Sequence, residues 1–347
     1  MQVRSRRARR VIWLTVVIVC VSRSAHAADR FVSTAGSDGA NDCASSGAPC
    51  RTVAHGLAQA GSGDTVKVAG GSYVESLLID FPITLTLSGG WAPDFASRDL
   101  AKHRTKLAHS EQDIRADGGE TIAVDFDGLE FPSGEIDVQG TLDGAVHVTV
   151  TDCRFSRWTL RASHGGTGTL DLTVARSTFT GSDRQVPLNL FVLAGGSSTV
   201  NVTVQASSFT TSRVGSIVLA TFDTATSSLS IDGSVFLRNA STPISVDNRA
   251  TSSVVVTNSF VARSTQATAG AIMISGSSGA QTSATFVNDT IVRNKAVADT
   301  GACHGGGGVV GVAQVNQSAV GLVGFFGQLA HVPCVILAQL GKHDGAP

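Results

Sequence analysis

Charge and aromatic variety are both scarce in this chain. Only 15% of its 347 residues are charged, and beyond 15 Phe it carries three Trp and one Tyr. Set against 42% hydrophobic residues, the low charge excludes disorder, which needs low hydrophobicity and high net charge. There is no Gly-x-Ser-x-Gly elbow, so His304-Gly-Gly-Gly307 does not announce an α/β-hydrolase. A phosphate-binding Gly-x-x-x-x-Gly-Lys and a dinucleotide fingerprint after a strand are missing too. No cysteines or histidines stand at zinc-ligand spacing. Runs of helix formers are absent from the linkers, which read like Ala162-Ser-His-Gly-Gly-Thr-Gly-Thr169. That excludes a helical solenoid, and the lack of fixed Leu and Asn columns excludes a leucine-rich repeat.

What is present is a short phrase that returns along the chain. Val148-Thr-Val-Thr-Asp-Cys-Arg-Phe155 has counterparts ending at Phe131, Phe179, Phe209, Phe236, Phe260 and Ile291, in steps of 24, 24, 30, 27, 24 and 31 residues. Five residues before these ends stand Phe126, Val150, Val174, Val204, Ile231, Val255 and Phe286. Seven before, the apolar residues are Val124, Val148, Leu172, Val202 and Leu229. Apolar residues two apart mean a strand with one buried face. A fixed apolar frame with loose filler between means a stacked repeat. β-branched residues fill the phrases and turn formers fill the gaps, so each coil holds three short strands paired in parallel with the next coil. The expected fold is all-β, a right-handed parallel β-helix solenoid. A β-sandwich also spaces short strands this way, but it does not require one frame in every strand.

The first residues read as an export signal (residues 1–27), with a basic region at Arg4 to Arg10, an apolar stretch from Val11 to Val21, and Ala25-His-Ala27 as the cleavage pattern. Its removal takes away six Arg and no acid, so the formal charge moves from 26 − 27 = −1 to 20 − 27 = −7. No basic stripe remains for nucleic acid or anionic lipid. The expected location is the periplasm, the cell surface or the medium, where thiols oxidise. Cys43 and Cys50, seven apart in a Ser-, Gly- and Pro-rich loop, are expected to pair, whereas Cys153 is expected as a buried or turn thiol. Pairing of Cys303 with Cys334 stays open.

Residues 28–61 are expected to form a strand, the disulfide loop and a helix over 51–60, with Val53, Leu57 and Ala60 at helical spacing, Thr52 as the cap and Gly61 as the stop. Coils are expected over 62–299. Residues 300–347 form an atypical apolar, Gly-rich tail with no Asp, Glu, Lys or Arg between Thr300 and Gly341. Gln314, Asn316, Gln317 and Gln328 argue against membrane anchoring by this tail.

The stretch FVSTAGSD…C…APCRTVAHGLAQAGSGDTVKVAGGSYVE (31–75), followed by Ile83-Thr-Leu-Thr-Leu-Ser-Gly-Gly-Trp91, resembles the N-terminal module of secreted bacterial β-helix proteins of the pectin-lyase-like superfamily. The resemblance implies that the short helix caps the apolar end of the coil. It also implies that activity, where present, is polysaccharide lysis, with Ca²⁺ held by carboxylates and Arg or Lys as base, or hydrolysis by a cluster of Asp. A cofactor is expected only in the lyase case. The candidate patch on the aligned phrases is Asp125, Asp127, Asp152, Arg154, Arg157 and Asp171, with Arg176 beside it. Between the inward positions lies a mostly hydroxyl column, Asp125, Thr149, Thr173, Thr203, Ser230, Val254 and Thr285. Tyr73, Trp91 and Trp158 are the candidate exposed aromatics for stacking on sugars. The expected role is non-catalytic binding or structure, with a polysaccharide or cell-surface component as partner. The alternative is a polysaccharide lyase or hydrolase.

Overall fold

The computed structural model describes residues 27–292 apart from Ser110, 182–187, Val214, 265–271 and 277–279, and the backbone of Val309–Gln314, Leu322–Gly324 and Val335–Ala338. The expected export signal over residues 1–27 lies outside the described residues except for Ala27, and so does the open question of whether Cys303 and Cys334 pair.

The chain winds through three sheets of 11, 9 and 10 strands. The third coil shows the unit: Thr121–Asp127 in the first sheet, Leu129–Phe131 in the second and Gly134–Gly140 in the third. The fourth coil repeats it 24 residues on, as Ala145–Thr151, Arg154–Ser156 and Trp158–His164. Each strand pairs in parallel with its counterpart, Val148 with Val124 and Leu172, for instance. The fold is a parallel β-helix.

Alternation puts every second side chain inside, where it meets the equivalent residue of the next coil. The first sheet contributes the columns Val124, Val148, Leu172, Val202, Leu229, Val254 and Phe126, Val150, Val174, Val204, Ile231, Val256, all at most 2% exposed. From the second sheet comes a stack of Phe131, Phe155, Phe179, Phe209 and Phe236, with ring centroids 4.8, 4.4, 4.7 and 5.0 Å apart and planes within 7°. Ring-on-ring spacing equals coil-on-coil spacing, so one residue type repeated at the coil period fills this corner of the core.

The turn from first to second sheet is a left-handed residue followed by a buried small polar one. Asp152, Arg176, Ala206, Gly233, Asn258 and Asn288 have φ between 46° and 58°. The residues after them form a ladder. Cys153 N–H donates to Ser177 Oγ, Ser177 to Ser207, Ser207 to Ser234, and Ser234 to Ser259, at 3.1 to 3.2 Å. Ser259 N–H then donates to Asp289 Oδ1 at 2.8 Å. These bonds satisfy turn amides that the sheet ladders leave unpaired. Cys153 belongs to this ladder and is buried, and burial pushes its thiol up to about 12.

The frame slips once. Phe236 pairs with Val261, not Phe260, and Leu229 with Val254. Phe260 points outward at 37% exposure, while Val261, Val254 and Val256 are buried. The expected inward Val255 and Phe260 and outward Val254 are therefore corrected by one position. Val254-Val255-Val256 is an unbroken apolar run, which carries no phase of its own.

At the N-terminal end, the strand Asp29–Val32 pairs in parallel with Thr65–Ala69, and the helix Val53–Gln59 covers the open core with Val53, Gly56 and Leu57. Thr52 Oγ1 accepts from His55 N at 3.2 Å, and the Glu75 carboxylate takes the N–H groups of Val53 and Ala54 at 2.9 and 2.8 Å. A Cβ on Gly56 would lie 2.6 Å from Val32, so glycine lets the helix sit on the core. Cys43 and Cys50 are bonded and buried. At the other end, Val309–Gln314 and Leu322–Gly324 pair antiparallel with Ile272–Gly276 and Gln281–Val287, so the parallel winding ends there. No helix among the described residues is long and apolar enough to cross a membrane.

Candidate acid–base site on the third sheet

The six patch residues fall on different parts of the coil. Asp125, Asp127 and Asp171 face outward on the first sheet. Asp127 pairs with Arg98 at 2.8 Å, and Asp171 is held by His147 and Asn201, both at 2.8 Å. Asp152 lies in the following turn, paired with Arg176 at 2.8 Å. Arg154 stands on the second sheet opposite Glu130, and Arg157 in the turn beyond it, with φ 56°. Tyr73 is corrected from an exposed to a buried residue, 3% exposed, its hydroxyl donating to Ala69 O at 3.0 Å and burial raising its pKa. Trp91 is half-buried with Lys67 Nζ 4.6 Å over its ring, and the Trp158 side chain lies outside the described residues.

A different cluster does meet the requirement of acids stacked on neighbouring coils. It lies on the outer face of the third sheet, on Glu111–Ala116 and Gly134–Gly140. Register places Glu111 against Glu135, Asp113 against Asp137 and Arg115 against Gln139, and Asp137 against Arg161 of the next strand. In-register strands bring these acids within about 4.8 Å per coil. The inward neighbours Ile114, Ile136 and Val138 fix this face outward. Gln112 also points inward, its amide bonded to Leu77 N (2.9 Å) and Glu75 O (3.2 Å).

A sheet gains nothing by stacking carboxylate on carboxylate, because like charges directly opposite destabilise it. Arg115 binds Asp113 Oδ2 at 2.9 Å, and Gln139 binds Asp137 Oδ2 at 2.5 Å. Asp137 is only 8% exposed, yet its Oδ1 has no hydrogen-bond partner and lies 4.0 Å from Arg161 Nε, which also lacks one. Asp113 Oδ1 and Arg115 Nε are orphaned in the same way. Buried polar atoms left unpaired cost stability, so this face carries an arrangement that folding alone does not reward. Burial raises the Glu135 pKa, and the neighbouring Asp137 carboxylate raises it further, with Glu111 and Asp113 adding to the effect against Arg161. A carboxyl whose pKa is raised by burial, standing beside a second carboxylate on the same face, is a pairing that general acid–base catalysis can use.

The fit to a divalent cation is poor. Among the described residues, no three of these acids bring ligand oxygens within 4.8 Å of one another. Among the described residues, the one close group of that kind is Cys43, Cys50 and His55, whose thiols are consumed by the disulfide.

The first-sheet phrases do not reach these acids. Their signal in the sequence is Glu111-Gln-Asp113 and Glu135-Ile-Asp137, repeated 24 residues apart, the same step as Phe131 to Phe155.

Fold and site together define a parallel β-helix with an acidic outer face. No protein-family model matches the chain. No curated protein matches it either. Among solved structures it is similar to the crystal structure of pectate lyase Pel9A, at 13% identity over 78% of each chain with a TM-score of 0.39. A likeness of that size carries no argument about chemistry, which rests on the chain's own residues.

Proposed function

We propose that the chain is an exported polysaccharide-active protein that binds a glycan along the outer face of the third sheet and hydrolyses a glycosidic bond there. The observation that carries this reading is the in-register stacking of Glu111 on Glu135 and Asp113 on Asp137, with Asp137 Oδ1 buried, without a hydrogen-bond partner and facing Arg161 at 4.0 Å. In the proposed step Glu135 gives its proton to the leaving glycosidic oxygen. Asp137 takes a proton from the attacking water, whose oxygen bonds to the anomeric carbon as the C–O bond breaks. Arg161 and Arg115 hold the carboxylates in place. A Ca²⁺-dependent lyase step has no support here, because the acids do not converge as a cation site.

The second reading, binding without turnover, is favoured by the internal partners that Asp113 and Asp137 already have. Residues 28–347 incubated with acidic and neutral polysaccharides decide between the two. Release of reducing ends that Glu135→Gln and Asp137→Asn abolish supports hydrolysis. Co-sedimentation with no product supports the binding module, and neither result removes both readings.

A further inference from the structure

Asp64 stands between the capping helix and the first coil and is 4% exposed. Its Oδ1 accepts the N–H of Ala28 at 2.8 Å, and its Oδ2 accepts Gly61 N at 2.9 Å and Arg30 Nε at 3.0 Å. The Ala28 carbonyl in turn accepts Thr65 N at 2.9 Å. Ala28 is the earliest residue that the described structure ties to the fold in this way, and Ala27 before it is exposed. The sequence places its small-x-small pattern, Ala25-His-Ala27, immediately before this residue. Two independent features, a cleavage pattern and a buried carboxylate, thus meet at one peptide bond.

We propose that the Asp64 pocket is a receptor for the α-ammonium group of Ala28, created when the Ala27–Ala28 bond is hydrolysed by an export-pathway endopeptidase. Water adds across that bond, leaving a carboxylate on Ala27 and an ammonium on Ala28. The nitrogen that offered one N–H then offers three, with a full positive charge, to a carboxylate already 2.8 Å away. Arg30 does not pre-empt this role. Its side chain is one-fifth exposed and also donates to the Asp42 carbonyl at 3.1 Å, so its charge reaches the surface. Asp29, the residue after Ala28, is paired with Lys67 at 2.5 Å. Burial pushes the Asp64 carboxyl up, but the bonds from Gly61, Ala28 and Arg30 outweigh it and hold the group below the ordinary range, ionised and ready for a cation. Processing would therefore tighten the first strand onto the coil, so that the fold reaches full stability only after export.

The test compares chains that begin at Ala28 and at Ala25, each with Asp64 and with Asp64→Asn. Urea unfolding is followed by circular dichroism, and the N-terminus of the exported protein is read by mass spectrometry. The expected result is an exported protein beginning at Ala28. Its folded-to-unfolded ratio is expected to exceed that of the Ala25 chain by roughly tenfold, equivalent to about one unit of displacement in the ammonium pKa. That advantage should vanish in the Asp64→Asn pair. Because each comparison is made within one background, general weakening by Asp64→Asn does not obscure the result. Equal stability of the Ala28 and Ala25 chains, an advantage that survives Asp64→Asn, or a mature N-terminus elsewhere would each overturn the proposal.

Discussion

Phe179→Ala probes the stacked core directly. Phe179 is fully buried between Phe155, 4.4 Å away at 4°, and Phe209, 4.7 Å away at 6°. Truncating a core Phe costs about 3–5 kcal/mol through lost transfer energy and the cavity left behind. The coils on either side are held at fixed spacing by their own ladders, so the site cannot collapse, and a loss near the upper end, about 4–5 kcal/mol, is expected. Urea unfolding is the assay, with two companions that test the register. Val261→Ala removes a buried side chain one coil beyond Phe236, where the Phe stack ends, and should cost about 2 kcal/mol. Phe260→Ala, outward and 37% exposed, should cost under about 1 kcal/mol despite its larger size. The expected order is Phe179, then Val261, then Phe260. A Phe260→Ala variant weaker than Val261→Ala, or a Phe179→Ala variant that unfolds like the parent, would refute the reasoning.

Other outcomes follow from the same structure. The folded chain holds the Glu135 proton more tightly than the unfolded chain does, so the stability it contributes is full below the unfolded pKa and is lost as pH rises through the folded one. Glu135→Gln should therefore gain stability relative to the parent as pH rises above the ordinary Glu range of about 4, read from melting curves, and a difference that does not change with pH would contradict it. Replacing Cys43 and Cys50 by Ser should cost about 2 kcal/mol by loop-closure scaling, with hydrogen exchange rising over residues 40–51 and the coils unaffected. Cys153 should resist alkylation in the native protein and react once urea unfolds it, as peptide mapping would show.

Most of the fold is written in the chain because each coil repeats the same burial problem. The Val and Phe columns recur at the coil period, and the capping helix announces itself through Thr52 and the spacing of Val53 and Leu57. The slip at Val254-Val255-Val256 is not legible, since three consecutive valines fit either phase, and Phe260 draws the frame to the wrong residue. The third-sheet acids escape for a related reason. Gln112 occupies an inward position where an apolar residue would mark a strand, so Glu111-Gln-Asp-Ile-Arg115 looks like a polar loop until its amide is seen bonded to Leu77 and Glu75. Tyr73 is misplaced because the first coil is too irregular to phase from sequence, and its hydroxyl is satisfied inside by the Ala69 carbonyl.

The central claim, that the working face is the third sheet and not the first, is tested most directly by comparing two pairs of variants on one polysaccharide panel. Reducing-end release and co-sedimentation would be measured for Glu135→Gln and Asp137→Asn alongside Asp125→Asn and Asp127→Asn. The prediction is loss of turnover in the first pair and parent-like behaviour in the second. Turnover or binding that survives in the Glu135 and Asp137 variants but fails in those of Asp125 or Asp127 would contradict it.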